Sequence, residues 1–411
     1  MCRRTTTCYE TPLPIMTRYV LVAGDFVRTG GMDVANFALA DYLAREGEDV
    51  HLVAFRVSEE LAAYPNVTAH TVRRPLGYDV LGAPLLGAAA LLRQRDKAAR
   101  FVVNGGNAPL RAINWVHYVH AAYTPKSVGG KFRRLKDAVS HHTARMTERV
   151  ALQRARLVVA NSELTRTHLV ELIGIPAERV RAIYYGIDPA RFHPVDAEGR
   201  ARARKALQWD DRPRVVFIGA LGNRRKGFDV LWSAWTRLCR GASWDATLVV
   251  VGQGAELDRW RAEAGAAGMK RRVDFLGFRS DVPLILGASD LLVAPTRYEA
   301  YGLGVHEALC CGLPAIVSTQ SGVAERYPST LRDLLLPDPD DVSDLVARLT
   351  RWRERESTFQ EAASAFGATL RARTWDDMAR EIRVLSEGLD WGLAPAAQPA
   401  VKMKGPRLER P

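Results

Sequence analysis

Short continuous apolar runs alternate along the chain with stretches whose apolar residues recur every three or four positions, the signature of buried strands separated by amphipathic helices. The first run, "TRYVLVAG" at 17–24, passes through a Gly-containing loop into the helical pattern "DVANFALADYLAREG" at 33–47, and "DVHLVAF" follows at 49–55. Strand, loop, helix and strand in that order predict a parallel βαβ unit with a right-handed crossover. Further strands are predicted within "NVTAHTV" (66–72), "RFVVNGG" (100–106), "AINWVHY" (112–118), "ARLVVAN" (155–161) and "RVRAIYYG" (179–186).

The plan restarts after the charged segment 188–213. There, "RVVFIGA", "ATLVVVG", "RVDFLGF", "DLLVAPT" and "LPAIVST" each run into helical or turn sequence. Two doubly wound α/β domains are therefore expected, at 16–190 and 191–372, with a hinge near 188–212 and the ligand cleft at the carboxyl ends of their strands. A last helix, at 373–390, is free in sequence terms to pack on either half. Residues 1–15 and 391–411 carry no helical or strand period; with its Pro, Ala and basic residues, the second of these reads as a disordered tail, and the first as an extension ahead of Met16.

Composition narrows the partners. Of 411 residues, 58 are Lys or Arg and 46 Asp or Glu, a net charge of +12 that favours anionic partners. No apolar run reaches the roughly 18–20 residues needed to span a bilayer, and "VLGAPLLGAAALL" at 80–92 is too short. The five cysteines are odd in number and lack metal-ligand spacing, so free thiols in a reducing, cytoplasmic setting are expected.

The densest chemistry lies in "RYEAYGLGVHEALCCGLP" at 297–314, where Glu299 and Glu307 stand eight positions apart around Gly302, Leu303 and Gly304. A loop leaving a strand end and opening a helix can present first-turn amides to phosphate oxygens. A carboxylate accepts hydrogen bonds from sugar hydroxyls but repels a diphosphate, so two acids here would have to flank one. Upstream, "FIGALGNRRKGFDVLWSAW" carries Arg224, Arg225 and Lys226 between a strand and a helix.

Taken with "VVVGQG", "DFLGF" and the exit "CGLPAIVS", these motifs resemble, in order and spacing, the retaining glycosyltransferases of family 4, which have the GT-B fold; the resemblance spans about residues 18–388. It implies a nucleoside-diphosphate sugar as donor substrate, no separate cofactor and no metal, and a hydroxyl acceptor that is a glycan, a lipid-linked sugar or a small molecule. Glu299 would meet the donor sugar and Glu307 the ribose. Lys226, with Arg224 or Arg225, would hold the diphosphate, and Gly30, Gly31 and Gly252 would let it approach the backbone. The main chain after Phe278 would meet the base, and His120, favoured over His117, would line the acceptor side. Asn161, Gly186 and Asp188 match positions at the cleft wall and hinge.

Two positions depart from the family pattern. Ala220 stands where an arginine usually follows the glycine of "FIGALG", and Ala300 stands where many members have glycine. In the acceptor half, Lys126, Lys131, Arg133, Arg134 and Lys136 form a basic stripe. Its simplest reading is a solvated helix face, and its alternative is peripheral contact with an anionic membrane surface or a phosphorylated acceptor. Rival functions are a sugar-nucleotide epimerase of the same architecture and a basic nucleic-acid-binding protein. A nicotinamide-dependent enzyme lacks its full glycine fingerprint here, and dispersed basic residues without a recognition motif argue against nucleic acid.

Overall fold

The computed structural model describes residues 16–389 apart from 76–78, 95, 97, 126–129, 223 and 242. The expected extension at 1–15, the tail at 391–411, Cys2, Cys8, Lys126 and the Arg133 side chain lie outside the described residues.

The first half contains β1 (Arg18–Val22), β2 (Asp25–Phe26), β3 (Asp49–Ala54), β4 (Arg56–Val57), β5 (Val67–Thr71), β6 (Arg100–Asn104), β7 (Ile113–Val116), β8 (Leu157–Ala160) and β9 (Val180–Ala182). Seven of these form one parallel sheet in the order β5-β3-β1-β6-β7-β8-β9, and β2 pairs with β4 beside it. The second half contains β10 (Arg214–Ile218), β11 (Thr247–Val251), β12 (Val273–Gly277), β13 (Leu291–Ala294), β14 (Ala315–Ser318) and β15 (Leu335–Leu336), parallel in the order β12-β11-β10-β13-β14-β15. Every strand predicted from the apolar runs is present. Strand order reverses beside β1 and beside β10, and in doubly wound sheets a ligand crevice opens at such a reversal.

Helices of the first half are α1 (Gly31–Arg45), α2 (Glu59–Ala62), α3 (Asp79–Arg93), α4 (Lys131–Arg154) and α5 (Glu163–His168). Those that follow are α6 (Ala197–Ala206), α7 (Phe228–Cys239), α8 (Leu257–Ala266), α9 (Val282–Ala288), α10 (Leu303–Cys310), α11 (Val342–Glu354), α12 (Glu356–Arg371) and α13 (Trp375–Glu387). Because strand side chains alternate between faces, the first sheet feeds different cores on its two sides. Tyr19, Leu21, Val102, Ile113, Trp115 and Val159 join α1 and α13, whereas Val20, Val22, Phe101 and Val103 join Leu86 and Ala90 of α3.

Helix α13 returns from the second half to pack on the first. Met378, Ala379 and Ile382 complete the core over α1, Tyr19 Oη and Ser386 Oγ are 2.9 Å apart, and Arg45 pairs with Asp376 at 2.6 Å. Thr374 and Asp377 close a capping box at its start, satisfying amides that the helix leaves unpaired.

The chain thus passes between the domains twice, and the two crossings run side by side. Ile187 bridges Thr374, and the Ile187 amide donates to the Arg373 carbonyl at 3.1 Å. Gly186 makes this approach possible, since a Cβ there would lie 2.0 Å from the Thr374 carbonyl oxygen. Gly186→Ala is therefore expected to destabilise the fold by about 2–3 kcal/mol through overpacking against backbone. Urea unfolding checks this, and a loss within about 0.5 kcal/mol, the range of an ordinary surface change, would contradict the crowding.

Candidate functional site

A cavity of about 810 Å³ opens between the two sheets. Ten of the thirteen candidate site residues line it: Gly30, Gly31, Lys226, Gly252, Phe278, Glu299, Gly302, Leu303, Gly304 and Glu307. The remaining three, His120, Arg224 and Arg225, are not among its lining residues.

The starts of two helices meet across this space. A Cβ on Gly31, at the head of α1, would lie 3.5 Å from the Leu303 side chain at the head of α10. Each is preceded by a glycine in the positive-φ region, Gly30 at 90° and Gly302 at 100°, and no side chain caps either helix. Amides of an uncapped first turn, reinforced by the helix dipole, favour an anion. Gly252 closes the approach from β11, where a Cβ would fall 1.9 Å from the Gly219 carbonyl oxygen.

Glu299 and Glu307 occupy opposite electrostatic settings. Glu299 is an acceptor for the Lys226 ammonium and, at 2.9 Å, for Arg225 Nη1. Burial opposes its ionisation, but Lys226 and Arg225 together outweigh that and hold the carboxyl below its ordinary range. Glu307, one helical turn beyond Leu303 on the same face of α10, accepts no side-chain hydrogen bond among the described residues. Burial pushes its carboxyl up to about 8, with the nearby Arg191 guanidinium pulling the other way.

The loop carrying Glu299 is seated in the first domain. Tyr298 Oη accepts the Val119 amide at 2.9 Å, and its ring meets Tyr118 edge-on at 5.0 Å. The Ala300 carbonyl accepts from Ser162 Oγ at 2.7 Å and Thr165 Oγ1 at 3.0 Å. Tyr301 packs on Tyr185 at 4.9 Å and accepts from Arg326 Nη1 at 3.1 Å. Ala300 is not a strained substitute for glycine: among the described residues, the non-glycine positions with positive φ are Gln208 and Arg224.

The two arginines expected at the diphosphate, Arg224 and Arg225, do not line the cavity. Arg225 turns away from the cavity, donating to the Tyr298 carbonyl at 3.0 Å as well as to Glu299, with its guanidinium 5.6 Å from the Tyr118 ring centroid. Arg224 takes φ of 55° and faces a small neighbouring pocket beside Glu256 and Trp260. Within this loop, Lys226 is the basic side chain that lines the main cavity, with Ala220 beside it.

His120 starts a short 3₁₀ turn, where its amide donates to the buried Glu148 carboxylate at 3.0 Å and its ring meets Tyr118 at 4.9 Å. Burial lowers its imidazole to about 4 and raises Glu148 to about 8. His117 is bound to Tyr185 Oη and lies outside the cavity as well. Asn161 also donates to Tyr185 Oη, at 3.1 Å, whereas Asp188 lines the cavity.

Three basic side chains reach the cavity without having been singled out in the sequence: Arg28, Arg191 and Arg279. Arg28 stacks 4.0 Å from the Phe37 ring, and Arg279 is tied to Asp281 at 2.8 Å. They lie in a loop, a linker and a turn, where no period marks an inward-facing side chain. Among the described residues, no group of three or more His, Cys, Asp or Glu side chains could hold a metal ion. No helix among them is long and apolar enough to cross a membrane.

Comparison with known proteins matches each half to a glycosyltransferase family model. A model described as Glycosyltransferase Family 4 matches residues 29–191, and one described as Glycosyl transferases group 1 matches residues 212–354. Alpha-D-kanosaminyltransferase of Streptomyces kanamyceticus is 27% identical over 242 residues, covering 58% of this chain and 61% of that relative. An uncharacterised glycosyltransferase of Methanocaldococcus jannaschii is 24% identical over 378 residues, covering 86% of this chain and 93% of its own length. The structure of HepE from Anabaena, in complex with UDP and glucose, superposes with a TM-score of 0.67 at 21% identity, covering 91% of this chain and all of that one. The chain belongs to the family 4, group 1 glycosyltransferases and has their GT-B fold.

Proposed function

We propose that the protein transfers a sugar from a nucleoside diphosphate to a hydroxyl acceptor with retention at the anomeric carbon. The observation that carries this reading is the meeting of two uncapped helix starts at a cavity that Lys226, Glu299 and Glu307 also line. The diphosphate lies against the first-turn amides of α1 and α10, and Lys226, which has three N–H donors, bonds a phosphate oxygen while keeping Glu299. Glu299 accepts from hydroxyls of the sugar and Glu307 from those of the ribose. The Phe278 ring, 63% exposed at the cavity wall, offers an apolar face beside the base.

The chemistry follows from what Glu299 is not free to do. A carboxylate already bonded to two cations is a poor nucleophile, which disfavours a double displacement through a glycosyl-enzyme. The acceptor oxygen instead attacks the anomeric carbon on the face the diphosphate leaves. The bond to the diphosphate breaks, and its departing oxygen takes the acceptor proton. Lys226 and the helix amides stabilise the charge that grows on the leaving group, so the step needs no metal.

A binding panel of UDP-, GDP-, ADP- and TDP-sugars, read by thermal shift and calorimetry, tests the donor site. One base class should stabilise the parent protein, and its Kd should weaken about tenfold or more in Lys226→Ala, which loses a charge-assisted hydrogen bond, and in Glu307→Ala, which loses the acceptor for the ribose hydroxyls. Absence of binding by every donor sinks the reading. Turnover of the donor without any acceptor would point to an epimerase, and an NMR spectrum showing an inverted anomeric centre would overturn retention.

Glu307 also makes a stability prediction whose sign is fixed. Its carboxyl sits at about 8 in the folded protein against 4.5 ordinarily. The unfolded chain therefore releases this proton first, and stability falls as pH rises from about 4.5 to about 8. Glu307→Gln removes that penalty, so its Tm should exceed the parent's by a margin that widens across this window while donor affinity drops. A margin that stays flat or shrinks, in thermal scans at several pH values, would contradict the raised carboxyl.

A further inference from the structure

The outer surfaces of α3 and α4 carry apolar stripes where helices on a soluble domain are ordinarily polar. On α3, Pro84, Leu85, Ala88, Leu91 and Leu92 are all exposed, Leu92 to 63%, and their spacing places them on one face, opposite the buried Leu86 and Ala90. On α4, Leu135 (63% exposed), Val139, Met146 and Val150 form a second stripe, on the side away from the buried Glu148, Ala151 and Leu152. Neither stripe belongs to the cavity between the domains.

The two helices lie on the same side of the first sheet. Helix α3 packs on Val20, Val22, Phe101 and Val103, and Leu152 of α4 shares a core with Val116 and Val158. These strand positions alternate with Tyr19, Leu21, Val102, Trp115 and Val159, which face α1 and α13. Both helices also touch the turn at 105–107: a Cβ on Gly87 would lie 3.2 Å from the Asn107 carbonyl oxygen, and one on Gly106 would lie 2.9 Å from Thr147 Oγ1. Their apolar stripes therefore look outward from one face of the protein.

We propose that this face docks on an anionic lipid bilayer. Lys131, Arg134, Arg145 and Arg149 are exposed on α4 beside its stripe, and no exposed described residue of either helix is acidic. An interfacial helix of this kind sinks apolar side chains to the acyl boundary while its cations meet lipid phosphates. A second copy of the chain would bring the same cations against these. The chain's own ends are also net basic, with Arg3 and Arg4 against Glu10, and Lys402, Lys404, Arg407 and Arg410 against Asp390 and Glu409. A nucleic acid would engage the cations but leave the leucines in water.

Co-sedimentation of the full chain with phosphatidylcholine vesicles, with and without about one third phosphatidylglycerol, tests the proposal, because each cation adds attraction only to the charged surface. The parent should sediment with the anionic vesicles, and added salt should weaken the binding. Leu92→Glu with Leu135→Glu should reduce binding tenfold or more with the circular dichroism unchanged, whereas Val384→Glu, on exposed surface of α13, should leave it intact. The proposal fails if the parent stays in the supernatant or if the double variant binds as the parent does. It fails equally if ultracentrifugation shows a parent dimer that the double variant abolishes, since a second copy would then be the occupant.

Discussion

Three residues of the second domain, Tyr298, Ala300 and Tyr301, are seated in the first, and the geometry of the cavity depends on that seat. Tyr298 and Ala300 enter one core of the first domain and Tyr301 enters another, so Glu299 between them can only face the cleft. Period-two alternation is normally a property of strands in a sheet; here it joins one domain to its neighbour and aims an acid. The Ala300 carbonyl, held by Ser162 and Thr165, fixes the depth of insertion. An error in this register would move the carboxylate away from Lys226 as well as from the ligand space.

From that seat follows an asymmetry between the two acids. Glu299 is half-buried among cations and stays ionised; Glu307 is half-buried without a side-chain hydrogen-bonding partner among the described residues and holds its proton more tightly. Two carboxyl groups whose surroundings push them in opposite directions are set for different work. The uncompensated group is the one that gains most when a hydroxyl-bearing ligand arrives, because its desolvation has already been incurred on folding. The cluster of Lys226, Arg225 and Glu299 contributes rigidity instead.

Much of this was legible in the chain because burial on both faces writes strands as unbroken apolar runs. The exceptions are physical: β2, β4 and β15 have two residues each, too few for any period to show. Glu299, Glu307 and the glycine starts could be read because their spacing within one strand, loop and helix determines where they point. Arg225 could not, since its direction is set by Glu299 and the Tyr298 carbonyl, more than seventy positions away along the chain. The setting of His120 was hidden for a similar reason: Glu148 on α4 takes its amide, and only the folded helix reveals that partner. Arg191 sits in what reads as a charged linker, yet it reaches the same cavity as Glu307.

The paired crossings at Ile187 and Thr374 have a consequence for how the protein is made. In topological terms the second domain is an insertion, and the first domain is split between residues before Ile187 and the helix after Thr374. A ribosome delivers the split domain's last element only after the whole insert has emerged, so domains do not complete in the order in which they begin. Until α13 arrives, Tyr19, Phe37 and Leu43 lack their cover, and the nascent first domain carries an open apolar face that its partner cannot shield. The interval between synthesis of the two segments is therefore the period in which this chain is most exposed to aggregation and to capture by chaperones.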